Sequence, residues 1–197
     1  MKKYLECSFQ LCYIYDVNKR DNILKAALKL FVEQGEQATS MKWIAKEAKC
    51  GIGTMYNYFS SKEELINVLY LETKRNLLTS VFRNHDSSFS VKKQFISTWL
   101  GFMDHSIANP LEAGFLQMYS HSPKISDKIN EEVNKLLFPL FEIYEKGKME
   151  GIIKDIDTLQ LIVFNNGAIS SSIGLNPKLG SQDRKVIVQL AWDAIKS

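Results

Sequence analysis

Three cysteines, Cys7, Cys12 and Cys50, form no CxxC pair, and none of the three histidines, His85, His105 and His121, stands at ligand spacing with them. A disulfide framework and a structural zinc site are therefore not expected, and the thiols read as reduced. No apolar run approaches the roughly 18 residues needed to span a membrane. The basic start, MKKYLECSFQLCYIYDV, has only a short apolar part, broken by Glu6 and Gln10, with no small-residue cleavage site behind it. Residues 1–18 read as an N-terminal arm, and the protein as cytoplasmic. Only four prolines punctuate the 197 residues, which leaves room for long helices. Neither sign of charge dominates: a formal excess of +3 says little about partners, so local clustering has to carry any electrostatic reading.

Apolar residues make up 45% of the chain, enough for a real core and incompatible with a disordered composition. Their spacing is helical almost throughout. Between Lys19 and Gln34, Ile23, Ala27, Leu30 and Phe31 recur on one face, and Gly35 stands where a left-handed residue commonly ends a helix. Thr39 or Ser40 is placed to cap a short helix that buries Ile44, Ala45 and Ala48. A tight turn at Lys49-Cys50 leads into a second short helix over about 51–58. Ser60 with Glu63 reads as a capping box opening a long helix. Further helices are expected over about 91–108, 111–120 and 126–149, the last kinked at Pro139, then from Asp157 to about Ser172 and from about Ser181 to Lys196. Strand alternation and internal repeats are both lacking. The fold class is all-α.

The stretch Ala48-Lys49-Cys50-Gly51-Ile52-Gly53-Thr54-Met55-Tyr56-Asn57-Tyr58-Phe59 admits three readings. A phosphate-cradling loop needs G-x-x-x-x-G-K-[ST] or G-x-G-x-x-G after a strand; here Tyr56 replaces the third glycine and a helix precedes. No cofactor is expected. A core helix would bury Ile52, Met55 and Phe59 but leaves Thr54, Tyr56, Asn57 and Tyr58 outward. Two short helices around a tight turn are also what a helix-turn-helix requires, its second helix entering the major groove of duplex DNA. Gly51 and Gly53 permit close backbone approach, and Thr54, Tyr56 and Tyr58 carry hydroxyls for phosphates. Between Ala38 and Lys62, four lysines (42, 46, 49 and 62) face one carboxylate, Glu47, so this segment alone carries the whole chain's excess of +3.

These residues give the segment a family resemblance. Arg20-x-x-Ile23-Leu24-x-Ala26-Ala27-x-x-Leu30-Phe31-x-x-x-Gly35, Thr39 with Ile44-Ala45-x-x-Ala48, and Gly53-Thr54-Met55-Tyr56-x-Tyr58-Phe59-x-x-Lys62-Glu63-x-Leu65 together resemble the DNA-binding domain of the TetR family of bacterial transcriptional regulators. The resemblance covers about a quarter of the chain. It implies a three-helix DNA-binding domain over residues 19–65 and a helical effector-binding and dimerisation domain over 66–197. It further implies phosphate contacts at Thr39, Thr54, Tyr56, Tyr58 and Lys62, positions in or near the groove at Cys50, Gly51, Ile52, Gly53 and Asn57, and DNA binding by Lys49 in the turn. The sequence departs at Lys49-Cys50-Gly51, where the family usually has Gly-Val-Ser, so Lys49 is expected to take a left-handed conformation.

Regulators of this type act as homodimers on a palindromic operator. The dimer surface is expected on the last two helices, from Leu159, Ile162, Val163, Ile169 and Ile173 on one and Ile187, Leu190, Ala191, Ala194 and Ile195 on the other. The resemblance also implies a small, mainly hydrophobic effector. Its pocket would draw on Trp99, Phe102, Met103, Phe115, Met118, Tyr119, Phe141 and Tyr144, with Gln117, Tyr119, His121 or Asn165 as polar handles. The rival, an enzyme or a helical ligand-binding protein without DNA binding, finds little support. No Ser-His-Asp spacing, metal cluster or paired carboxylates on an apolar face can be read, so no catalytic or metal residue is assigned.

Overall fold

The computed structural model describes residues 19–83 and 85–197, and the arm expected over residues 1–18 lies outside them. Helix α1 occupies residues 19–34; Ile23, Ala27, Leu30 and Phe31 are buried along it, and Gly35, at φ +80°, donates to the Phe31 carbonyl to end it. Helix α2, Met41–Glu47, is capped by Ser40, whose hydroxyl accepts from the Trp43 amide. Helix α3 is Ile52–Tyr58 and α4 is Lys62–Phe82. The capping box before α4 sits one residue later than Ser60 and Glu63. Ser61 Oγ accepts from the Glu64 amide at 3.0 Å, and the Glu64 carboxylate reaches back to the amide and hydroxyl of Ser60.

Helices α5, Val91–Ala108, and α6, Pro110–Tyr119, follow. The single kinked helix expected over 126–149 is instead two, α7, Asp127–Leu136, and α8, Phe138–Met149. Pro139 takes the second position of α8, where its missing N–H has no intrahelical partner to lose; inside a continuous helix it would clash with a carbonyl one turn back. Helix α9, Thr158–Leu175, is capped by Asp157 Oδ1 accepting from the Gln160 amide at 2.9 Å, and α10 is Ser181–Ile195. The described residues contain no strand, only an isolated bridge between Ile153 and Lys196.

The chain folds as two compact units. One runs to Tyr70 and takes in Gly114–Ser126; the other comprises Leu71–Ala113 and Asp127–Ser197. In the first, α1, α2, α3 and the start of α4 close over Phe31, Ile44, Met55, Phe59 and Leu65. The end of α6 completes this core: the Phe115 ring stacks on Phe31 with centroids 6.3 Å apart. Asn67 locks the segment after α6 onto α4, its amide donating to the Glu63 and Lys124 carbonyls and accepting from the Ser126 amide. A division at residue 65 does not anticipate this return of the chain.

In the second unit, α5, α8, α9 and α10 bury Phe95, Trp99, Met103, Tyr144, Ile169 and Trp192 together. Each such side chain contributes about 1.5–3 kcal/mol by leaving water. Gly147 lets α8 meet the chain beyond it, since a Cβ there would lie 2.5 and 2.7 Å from Ile153 side-chain carbons and 3.0 Å from Val91.

Candidate nucleic-acid interface

The turn between α2 and α3 is built by backbone bonds. The Cys50 amide donates to the Ala45 carbonyl at 2.9 Å and the Lys49 amide to the Lys46 carbonyl at 3.1 Å, which is the Schellman closure of a helix. That closure needs a left-handed residue after the cap. Lys49 supplies it at φ +53°, the conformation expected from sequence, where glycine would sit without strain. Its side chain is left exposed. Cys50 is half-buried, and burial pushes its thiol above the ordinary range.

Helix α3 holds to the unit by Met55, with Phe59 just beyond, both fully buried. Ile52, expected on that face, points outward at 44% exposure; Tyr56 is 51% exposed and Asn57 is exposed. The outward face is therefore two rows spaced by one turn, Ile52 with Tyr56 and Gly53 with Asn57. Thr54 and Tyr58 flank it, half-buried. Gly51 caps α3 without a side chain, and a Cβ on Gly53 would meet nothing, so backbone is open on this face.

Two expected phosphate contacts need revision. Thr39 is fully buried, and its hydroxyl donates to the Leu30 and Gly35 carbonyls, so it joins α1 to α2 and offers nothing to a phosphate. Lys62 donates from Nζ to the Glu36 and Thr39 carbonyls at 3.0 and 3.2 Å, which makes it a strut for the same connection. The free cationic rim consists of Lys42, Lys46 and Lys49, all exposed. The segment's one carboxylate, Glu47, is held by Lys29 at 2.7 Å, and this partner keeps it below the usual carboxylate range. Trp43, also 42% exposed, stands on the same helix as Lys42 and Lys46.

The expected pocket residues divide between the units. Phe115 and Tyr119 are core residues of the first unit, where the Tyr119 hydroxyl donates to Glu36, and Met118 in the same unit is 47% exposed. Gln117 and His121 are exposed in that same unit. Trp99, Phe102, Met103, Phe141 and Tyr144 do come together in the second unit. At their centre is a polar group that spacing alone did not reveal. Trp99 Nε1 lies 3.0 Å and the Asn165 amide 2.7 Å from the Tyr144 hydroxyl, while the other end of that amide is buried without a partner. A separate cleft of about 300 Å³ between α4 and α5 is lined by Ser80, His85, Ser97 and Asp104 rather than by these aromatics.

The last two helices are also split by burial. Ile162, Ile169, Ala191 and Ile195 face the unit's own core, with Ile173 and Ile187 packed partly against it. Left outside are Leu159, Val163 and Phe164 on α9 and Val186 and Leu190 on α10, each 49–63% exposed. His105, a conceivable general base, lies 3.1 Å from Glu112.

A helix-turn-helix whose second helix presents an open, uncharged face, with exposed lysines on the helix before it and in the turn, defines a DNA-binding regulator. Comparison with known proteins supplies the family. The model of bacterial regulatory proteins of the tetR family matches residues 23–69. The HTH-type transcriptional regulator YhgD of Bacillus subtilis (strain 168) is 41% identical over 138 residues, which cover 70% of this chain and 71% of that protein. A second regulator of that organism, YuxN, is 30% identical over 119 residues, and the match spans 57% of this chain but only 41% of YuxN. The fold is that of a TetR family transcription regulator from Marinobacter aquaeolei VT8, with a TM-score of 0.85 at 20% identity, covering 94% of this chain and 99% of that one. The chain belongs to the TetR family, whose members are ligand-responsive, DNA-binding transcriptional regulators. No helix among the described residues is long and apolar enough to cross a membrane.

Proposed function

We propose that the protein is a cytoplasmic, homodimeric repressor that leaves its palindromic operator when a small, mainly hydrophobic effector binds, and that it acts by binding rather than by catalysis. The observation that carries this reading is the outward face of α3, rimmed by Lys42, Lys46 and Lys49, with the neighbouring Glu47 neutralised by Lys29. Cys50, Gly51, Ile52, Gly53 and Asn57 enter or border the major groove, and Lys49, in the turn, meets a phosphate. Thr54, Tyr56 and Tyr58 contact phosphates, and Lys62 fixes the geometry of the reading head in addition to any phosphate contact. Dimerisation uses Leu159, Val163, Phe164, Val186 and Leu190, which places two α3 helices on half-sites one helical turn of DNA apart, or a multiple of it. The effector binds among Trp99, Phe102, Met103, Phe141 and Tyr144, with the unpartnered end of the Asn165 amide as its polar handle. Its binding shifts the population between two dimer states; α4, which begins in the first unit and ends in the second, is the continuous element available to carry the change. The test is a gel-shift titration over salt on the DNA upstream of its own gene. Salt-dependent, sequence-preferring binding is expected, and its absence overturns the reading.

A further inference from the structure

We infer that α3 reads A·T base pairs, with Ile52 packed against a thymine methyl group and Asn57 on an adenine edge. The inference rests on the DNA-binding reading and adds what kind of half-site the helix takes. The outward face of α3 contains Ile52, Gly53, Tyr56 and Asn57 and no other residue type. Among these there is no arginine or lysine to bridge O6 and N7 of guanine, and no carboxylate to accept from N4 of cytosine. The face therefore has no strong partner for a G·C pair. Ile52 offers only methyl and methylene groups, and the single apolar group displayed in the major groove is the C5-methyl of thymine. Its chain neighbours Gly51 and Gly53 have no side chains, and Tyr56 is the one large side chain in its row, so Ile52 is left 44% exposed on this face. Asn57, one turn beyond Gly53, has the donor and acceptor that match N7 and N6 of adenine. The lysines lie off this face, on α2 and in the turn, where phosphates are their partners.

The test begins with selection of duplexes from a random pool by the full-length protein, followed by equilibrium binding to the enriched duplex. The enriched half-sites are expected to be A·T at the positions under α3. Replacing the contacted thymine by uracil, which removes one methyl group and changes nothing else, is expected to weaken binding about fourfold per half-site. Ile52→Ala should bind the thymine duplex correspondingly less well and no longer distinguish it from the uracil duplex. As Ile52 is outside the core, this variant should unfold at the wild-type temperature. Asn57→Ala should lose preference at the adenine alone. Enrichment of G·C under α3, indifference of the wild type to uracil, or persistence of the uracil effect in Ile52→Ala overturns the inference while DNA binding stands. A pool with no enrichment overturns the DNA-binding reading, and the inference with it.

Discussion

Replacing Lys49 by glycine separates two contributions that this residue combines. Its backbone lies at φ +53° at the close of α2, a conformation that costs an L-residue about 1–2 kcal/mol. Glycine removes that strain but adds about 0.5–1 kcal/mol of chain entropy to the unfolded state. Lys49→Gly should therefore stabilise the first unit by up to about 1.5 kcal/mol, worth several degrees in its melting transition at about 4–8 °C per kcal/mol. The ammonium group acts in the opposite sense on DNA. Three exposed lysines per protomer, Lys42, Lys46 and Lys49, give a dimer about six phosphate neutralisations and a slope of log affinity on log salt near −5.4. The variant retains about four, for a slope near −3.6. Between 50 and 200 mM salt the wild type should lose affinity about 2,000-fold and the variant only about 150-fold. Thermal unfolding and fluorescence anisotropy over salt read the two effects independently. A variant that is less stable would refute the strain argument, and an unchanged salt slope would refute the phosphate contact.

Gly147→Ala should cost about 1–3 kcal/mol in denaturant unfolding, because the new methyl group falls within 3.0 Å of Ile153 and Val91. Val163→Glu combined with Leu190→Glu places like charges on the exposed apolar face of α9 and α10; sedimentation should then report monomers, and operator affinity should fall at least tenfold with the melting temperature little changed. Tyr144 is held well above the ordinary tyrosine range by burial, outweighing the opposing effects of its bonds to Asn165 and Trp99. With the folded value raised, its contribution is complete below about pH 10 and is lost as pH rises further, by about 1.4 kcal/mol per pH unit. Tyr144→Phe should remove that much of the alkaline slope in unfolding experiments, and an identical slope in both proteins would contradict the assignment.

Sequence was most informative where structure is local. The stripe of α1, the stop at Gly35, the cap at Asp157 and the left-handed Lys49 each follow from a few adjacent residues, and all are found. The turn and the outward Tyr56 were legible for the same reason, since they lie within a dozen positions. Failures came where the deciding partner is remote or the choice nearly degenerate. Thr39 is drawn inward by the Leu30 and Gly35 carbonyls, and Ile52 stays outward because Met55 and Phe59 already fill the attachment face. Ser60 and Ser61 are equally good caps by composition, and only the reach of Glu64 selects between them. The return of Phe115 to Phe31 is a contact across more than eighty residues that periodicity does not contain.

That return has a genetic meaning. The unit bearing α3 is encoded in two separated pieces, and the second, Gly114–Ser126, is embedded in the stretch that encodes the other unit. A single crossover between two such genes cannot transfer the reading head whole. It would pair Phe31 with a foreign side chain in place of Phe115, and a lysine other than Lys124 would have to meet Glu36. Exchange of DNA specificity among relatives should therefore proceed by point substitution on the outward face of α3, which touches none of these contacts, sooner than by domain shuffling.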